Sequence, residues 1–322
     1  MGEYPLLELL PTVVLEGLLL GCVYAMIALG YTMVYGVLGL INFAHSEVFM
    51  IGAVAGAEVF RYLGPLVPNP FLLLALSLAI GSAVAGLTAV AIERLAYRPL
   101  RRRGSANRLV PLITAIGVSF LLQDLVRLIE GLWHNEFYLN YPSLAAMNRT
   151  YDLPLEMDIQ VKSIIVIFVS VAMMVGLTLL VKKTRLGKAI RAVAQDAQTA
   201  SLMGINPDKV ISRTFLIGGC LGGVAGVLFG LLYGKIDPFV GFVPGIKAFT
   251  AAVLGGIGNI PGAMVGGLVL GQIEMNGQTY LPLLTDGNIG PEYTDILAFI
   301  VLVMLLLFRP QGLLGKAQTD KV

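Results

Sequence analysis

The sequence predicts an all-α, polytopic membrane protein with about eight membrane segments, some of them broken or re-entrant. Three observations carry that prediction. Hydrophobic residues make up 57% of the 322 residues and charged residues 13%, about half the charge of an ordinary soluble domain. The apolar runs are too long and too uncharged to be the cores of soluble domains. Glycine is abundant, at 38 residues, which suits close helix packing in lipid. The whole chain, 1–322, therefore reads as a single transmembrane domain.

The first apolar run, 12–36, follows Glu3 and Glu8 with no Lys or Arg before it, and it is too long for the core of a secretory signal. Further spans are expected at 48–64, 71–92, 109–131, 161–181, 214–234 and 293–308. The apolar stretch 247–274 is broken by Gly255-Gly256-Ile257-Gly258-Asn259-Ile260-Pro261-Gly262, a run that cannot stay helical. Its halves, 247–254 and 263–273, are each expected to fall short of a full crossing, so a re-entrant hairpin is predicted. A similar break runs through Val37-Leu38-Gly39 to Asn42, His45 and Glu47. Both breaks place Asn a few residues after Val-Leu-Gly. Matching interrupted segments point to an internal inverted repeat with a transport pathway between its halves.

Charge sets the expected orientation. Arg94, Arg98, Arg101, Arg102, Arg103 and Arg108 follow the third span, the connection 182–213 is also basic, and Arg309, Lys316 and Lys321 follow the last span. The positive-inside rule places these segments and the C-terminus in the cytoplasm. The segment 133–160, with Glu136, Asp152, Glu156 and Asp158, is then periplasmic.

Segment 182–213 is unusually long and patterned for a connection between spans. Leu186, Ile190, Val193, Ala197 and Ala200 step by four and three, so one helix with an apolar stripe is expected up to Gly204. Asn206-Pro207-Asp208 reads as an N-cap, a first-turn proline and a first-turn acid opening the next helix. The segment suits a partner-docking arm or a helix lying on lipid headgroups.

Other chemistry finds little support. Gly256-Ile257-Gly258 lacks the third glycine and the βαβ setting of a dinucleotide fingerprint, and no phosphate-binding G-x-x-x-x-G-K-[ST] occurs. Cys22 and Cys220 lie inside apolar runs as packing residues, and with two histidines no catalytic metal site is expected. The basic residues lie beside membrane spans, which argues against nucleic acid. The face Gly218, Gly222, Gly226 and Gly230 is read as a helix-packing surface. Asp124 and Arg127 are expected to pair, and Glu47 with His45 to stand at the pathway or to brace its break.

Several segments resemble one family. They are Gly30-Tyr31-Thr32-Met33-Val34-Tyr35-Gly36, Ile41-Asn42-Phe43-Ala44-His45-Ser46-Glu47, Arg98-Pro99, Ala115-Ile116-Gly117, Met203-Gly204-Ile205-Asn206, and the long run from Lys247 to Ala263. In this order they resemble the permeases of bacterial branched-chain amino acid ABC importers, of the H-type. Ser46 stands where that family usually has Gly. The resemblance implies a non-enzymatic inner-membrane subunit without cofactor or metal. Its implied partners are a second permease, two cytoplasmic ATPases, a periplasmic or lipid-anchored binding protein, and membrane lipid. It implies coupling to the ATPase through Gln195, Asp196, Ala197, Ala200, Leu202, Gly204, Ile205 and Asn206. It places Asn42, His45, Glu47, Gly255, Gly258 and Asn259 along the translocation pathway. Relatives import urea, amides or other neutral amino acids, so the substrate stays open, and a passive channel or ion-driven carrier is the competing reading.

Overall fold

The computed structural model describes residues 8–40, 42–102, 109–153, 157–309 and 311–315. Ile41, Arg103, Arg108, Glu156, Lys316 and Lys321, used in the sequence reading, lie outside the described residues.

Helix α1 (Leu10–Leu38) is the central post. Its residues from Leu20 to Val34 are buried on every side, as expected of a helix apolar all round. Around it stand α9 (Pro207–Tyr233), α10 (Phe242–Gly255), α11 (Ile260–Leu284) and α6 (Val161–Lys183). Helix α2 (His45–Leu63) packs with α3 (Pro70–Ile92) against α9. A π-helical turn, Glu93–Tyr97, carries α3 into the short α4 (Arg98–Arg102). Helices α5 (Leu109–Trp133) and α12 (Thr294–Phe308) form the rim and leave most of their apolar surface outward. Among the described residues six helices are long and apolar enough to cross a membrane, α3 counted with its extension to Arg102 and α12 from Pro291. The chain is thus a polytopic all-α membrane protein.

The bundle has two distinct ends. One is basic, formed by α4, the end of α6 and two short helices, α7 (Arg185–Gln195) and α8 (Ala197–Leu202). The other carries two small antiparallel strand pairs. There β1 (Leu139–Asn140) joins β4 (Lys235–Ile236), and β2 (Thr150–Leu153) joins β3 (Met157–Gln160).

The glycine face of α9 packs as read. A Cβ at Gly226 would run into the Phe49 carbonyl of α2, and one at Gly223 would come 2.7 Å from the Gly81 carbonyl of α3. These helices touch backbone to backbone, which only the smallest residues permit.

Three expectations need correction. The second half of the broken segment is not short: α11 has 25 residues, about 37 Å at 1.5 Å per residue, enough for a bilayer core of about 30 Å. Only α10, with 14 residues, is a half-length helix, and the irregular backbone shrinks to Gly256–Asn259 because Pro261 fits inside the first turn of α11. Glu274, at the end of the stretch 247–274, turns inward: Lys247 of α10 donates to Glu274 Oε1 at 2.7 Å and Tyr24 to Oε2 at 2.9 Å.

Second, the stripe from Leu186 to Gly204 is two helices. Asp196 is extended (φ −161°) and its carboxylate caps α8, so the stripe is interrupted and Ala197 is exposed while Ile190, Val193 and Ala200 are buried. Third, Asp124 and Arg127 are exposed and form no ion pair among the described residues; the Arg127 guanidinium instead lies 5.7 Å from the Phe137 ring centre.

The two Val-Leu-Gly breaks do share local structure. Each ends a helix, passes a glycine of positive φ (Gly39 at 64°, Gly256 at 105°) and restarts a helix just beyond.

Candidate functional site

The basic end carries an arm built from three successive caps. Thr184 opens α7, its Oγ1 accepting from the Gly187 amide at 3.0 Å. Asp196 opens α8, accepting from the amides of Gln198 (2.8 Å) and Thr199 (3.1 Å) and from the Thr199 hydroxyl. Those donors, the Thr199 hydroxyl foremost, hold its carboxyl below the ordinary aspartate range. Asn206 opens α9, its Oδ1 accepting from the Lys209 amide at 3.1 Å.

Between the last two caps, α8 closes with a Schellman turn: the Gly204 amide donates to the Ser201 carbonyl and the Ile205 amide to the Ala200 carbonyl, both at 3.0 Å. Gly204 has φ +83°, a conformation that costs other residues about 1–2 kcal/mol.

The result is a rigid corner. Ala200 faces inward, while Leu202 and Met203 stand 88% and 79% exposed. Gln195, Asp196, Ala197, Gly204 and Asn206 are exposed around them, and Ile205 is half-buried. The corner thus holds two large apolar side chains outward. Met203 lies outside the coupling residues singled out from sequence, although it sits inside the resembling Met203–Asn206 segment.

An ionic clamp anchors the arm to the bundle. Glu93, fully buried in the π-turn, accepts from Arg98 at 3.2 Å, Arg101 at 3.3 Å and Ser212 at 2.6 Å. Arg101 and Arg102 also reach Asp208 of α9, at 2.5 and 3.0 Å. Arg191 of α7 donates to the Val181 carbonyl at the end of α6. The arm is therefore tied through α9 to α3 and through α7 to α6.

Behind the arm lies a cavity of about 840 Å³, within the ~300–1,000 Å³ usual for small-molecule sites. Tyr35, Thr178, Lys182, Arg191, Gly258 and Asn259 line it. Apolar wall and a few polar groups alternate. Its inner end narrows toward Tyr31 and Phe249, where Tyr31 meets Phe249 and His45 edge-on at 6.1 and 4.9 Å and Phe43 backs Phe249 at 5.8 Å. Four rings cluster there.

The expected pathway residues thus divide. Gly258 and Asn259 lie on the cavity wall, where the Asn259 amide donates to the Leu314 carbonyl at 2.6 Å and holds the chain beyond α12 against the turn. His45 belongs to the aromatic cluster. Asn42 accepts from Tyr97 at 2.8 Å, and Gly255 sits at the crossing of α10 and α11, where a Cβ would strike the Gly262 carbonyl. Glu47 faces away from the cavity: its Oε1 accepts from Ser119 at 2.9 Å and Gln123 at 2.8 Å, both on α5. It fastens α5 to the start of α2.

Fold and site define a class: a multi-pass α-helical membrane protein with an open cavity and a capped arm beside it. The family described as branched-chain amino acid transport system, permease component, matches residues 13–306, and the chain belongs to that family. It is 43% identical over 317 residues to the high-affinity branched-chain amino acid transport system permease protein BraD of Pseudomonas aeruginosa, covering 95% of this chain and 96% of the relative. It is 42% identical over 316 residues to the permease LivH of Escherichia coli K12, with the same coverage. A probable branched-chain amino acid transport permease of Methanocaldococcus jannaschii is 27% identical over 305 residues, 94% of this chain and 92% of that one. No solved structure matches the chain.

Proposed function

We propose that the chain is the membrane permease subunit of an ATP-driven importer that carries branched-chain or other neutral amino acids across the bacterial inner membrane. The capped arm, presenting Leu202 and Met203 beside the cavity mouth, is the observation that carries this reading. The relatives' names supply the substrate class. Arg98, Arg101, Arg102, Lys182 and Lys183 at the arm's end make that end cytoplasmic by the positive-inside rule, and the strand-bearing segment 133–160 periplasmic.

In this reading a cytoplasmic ATPase holds the α7–α8 corner, one on this subunit and one on a partner permease. A binding protein delivers substrate at the strand end. Closure of the ATPase pair moves the corner. The Glu93–Asp208 clamp passes that motion to α3 and α9, and Arg191 passes it to α6. The four rings at Tyr31, Phe43, His45 and Phe249 then separate and join the cavity to the other face. A zwitterionic amino acid crosses past the Tyr35, Thr178 and Asn259 polar groups, with Gly255, Asn42 and Glu47 bracing the wall. An exposed, multiply capped arm has no use in a passive channel or an ion-driven carrier.

Transport in proteoliposomes tests the reading. Radiolabelled leucine uptake that needs internal ATP, and that Leu202→Glu with Met203→Glu abolishes while both variants insert normally, supports it. Uptake without ATP, or uptake indifferent to both substitutions, contradicts it.

A further inference from the structure

We propose that the cavity behind the arm is a carboxylate site: it holds the transported amino acid by its carboxylate, against Lys182, Arg191 and the N-terminus of α11, and makes little demand on its ammonium. The identity of the ligand rests on the importer reading, whereas the preference for a carboxylate rests on the lining alone.

Lys182 and Arg191 line the cavity, and among the described residues no Asp or Glu does. Lys182 makes no hydrogen bond or ion pair among the described residues. Arg191 gives Nη1 to the Val181 carbonyl, which leaves its other guanidinium donors for a ligand. A cleft lined by one sign of charge, with apolar walls, concentrates the opposite sign. Ile257, Gly258, Asn259, Ile260 and Pro261 line the same cavity, so the N-terminus of α11 opens on it. That helix runs 25 residues and no side chain caps its first turn, because Asn259 at the N-cap position gives its amide to the Leu314 carbonyl. An uncapped N-terminus adds open backbone amides and the positive end of the helix dipole.

An independent sign lies deeper. Thr32, 2% exposed, lines both the cavity and its narrow inner end toward Tyr31 and Phe249. Tyr35, Gly36 and Gly39 follow it at three, four and seven residues, one face of α1, and that face borders the cavity. Thr88, Thr114, Thr178 and Thr214 each donate to the carbonyl four residues back in their helices. Thr32 Oγ1 has no partner at all among the described residues. Buried hydroxyls are ordinarily paired, so this one is open to a ligand. It is shut off from solvent, and a carboxylate meets it only after leaving the mouth cations and passing Tyr35.

The remaining wall is aliphatic, with Met33, Ile190, Ile257 and Ile260, and matches a branched hydrocarbon tail. The ammonium of an amino acid meets only neutral oxygens, those of Tyr35 and Asn259 among them. Recognition therefore falls on the carboxylate.

The test uses the full chain in detergent without any ATPase, so that binding is read apart from transport. Leucine, isocaproate (leucine without its ammonium) and isoamylamine (leucine without its carboxylate) are titrated calorimetrically at about 0.15 M salt. The two acids should bind within ~3-fold of each other and the amine ~10-fold or more weaker, the size of one hydrogen-bonded charge contact. Lys182→Glu should reverse that order, and Thr32→Val should weaken both acids while leaving the amine unchanged. The acid-to-amine ratio is the decisive reading, because partial unfolding lowers all three together. Should Lys182→Glu fail to fold, Lys182→Gln decides by the same ratio. Equal binding of acid and amine, no saturable binding of either acid, or a ratio unmoved by the Lys182 substitutions overturns the proposal. Inorganic phosphate binding as tightly as the acids marks an unselective basic patch and overturns it too. ATP-driven uptake without carboxylate binding removes this proposal and leaves the importer reading standing; carboxylate binding without ATP-driven uptake does the reverse.

Discussion

The conformation of Gly204 gives the sharpest test of the arm. Its φ is +83°, and a Cβ built there meets nothing within 4 Å. A substitution therefore acts through the backbone rather than by collision within the chain. Alanine in a left-handed conformation costs about 1–2 kcal/mol, which changes the population of the turn by a factor of ~5–30. Helix α8 has six residues, too short to persist without its caps, so the loss falls on the corner that presents Leu202 and Met203. Asparagine visits this region readily and a β-branched residue resists it most. Amide exchange at Ala200 to Ile205 in the isolated chain should rise in the order Gly, Asn, Ala, Val. ATP-dependent uptake should fall in the same order while membrane insertion stays constant. If Gly204→Val exchanges and transports like the parent chain, the corner is not held as described.

Four further outcomes follow from the same structure. Glu93→Ala removes the acceptor shared by Arg98, Arg101 and Ser212; breaking a buried pair costs about 3–5 kcal/mol, so the melting temperature should drop clearly. Lys247→Met leaves the Glu274 carboxylate buried without its 2.7 Å partner and should destabilise by a similar ~3–5 kcal/mol, with Glu274→Gln in the same chain restoring part of the loss in thermal unfolding. The Asp196 carboxyl is held below its ordinary value, so its cap is fully present above the unfolded value and is lost only as pH falls through the lower folded one; ATPase binding to the arm should stay flat from about pH 8 to about pH 5. Asp196→Ala should fray α8 at all of these pH values, seen as faster exchange at Gln198 and Thr199.

Much of the membrane architecture was legible because lipid imposes uniform apolar runs on whatever faces it. Runs such as 109–131 and 161–181 match their helices to within a few residues. What escaped are long-range pairings. Glu274 looks like the end of a span until Lys247, 27 residues away, is seen to neutralise it. For Glu47 the sequence leaves pathway and brace open, and its partners Ser119 and Gln123, 72 and 76 residues away, appear only in the fold. The break at Asp196 had a local signal, an aspartate followed by a threonine three residues on, but the apolar stripe across it hid the cap.

The central claim is that this permease moves its substrate by force received through the α7–α8 corner. The most direct measurement is isolation of the chain from native membranes, followed by ATPase and uptake assays on the recovered complex in liposomes. The account predicts recovery of an ATPase and a second permease, with hydrolysis and leucine uptake both raised by a loaded binding protein and both lost with Leu202→Glu and Met203→Glu. A chain that purifies alone and passes solute without ATP would contradict it.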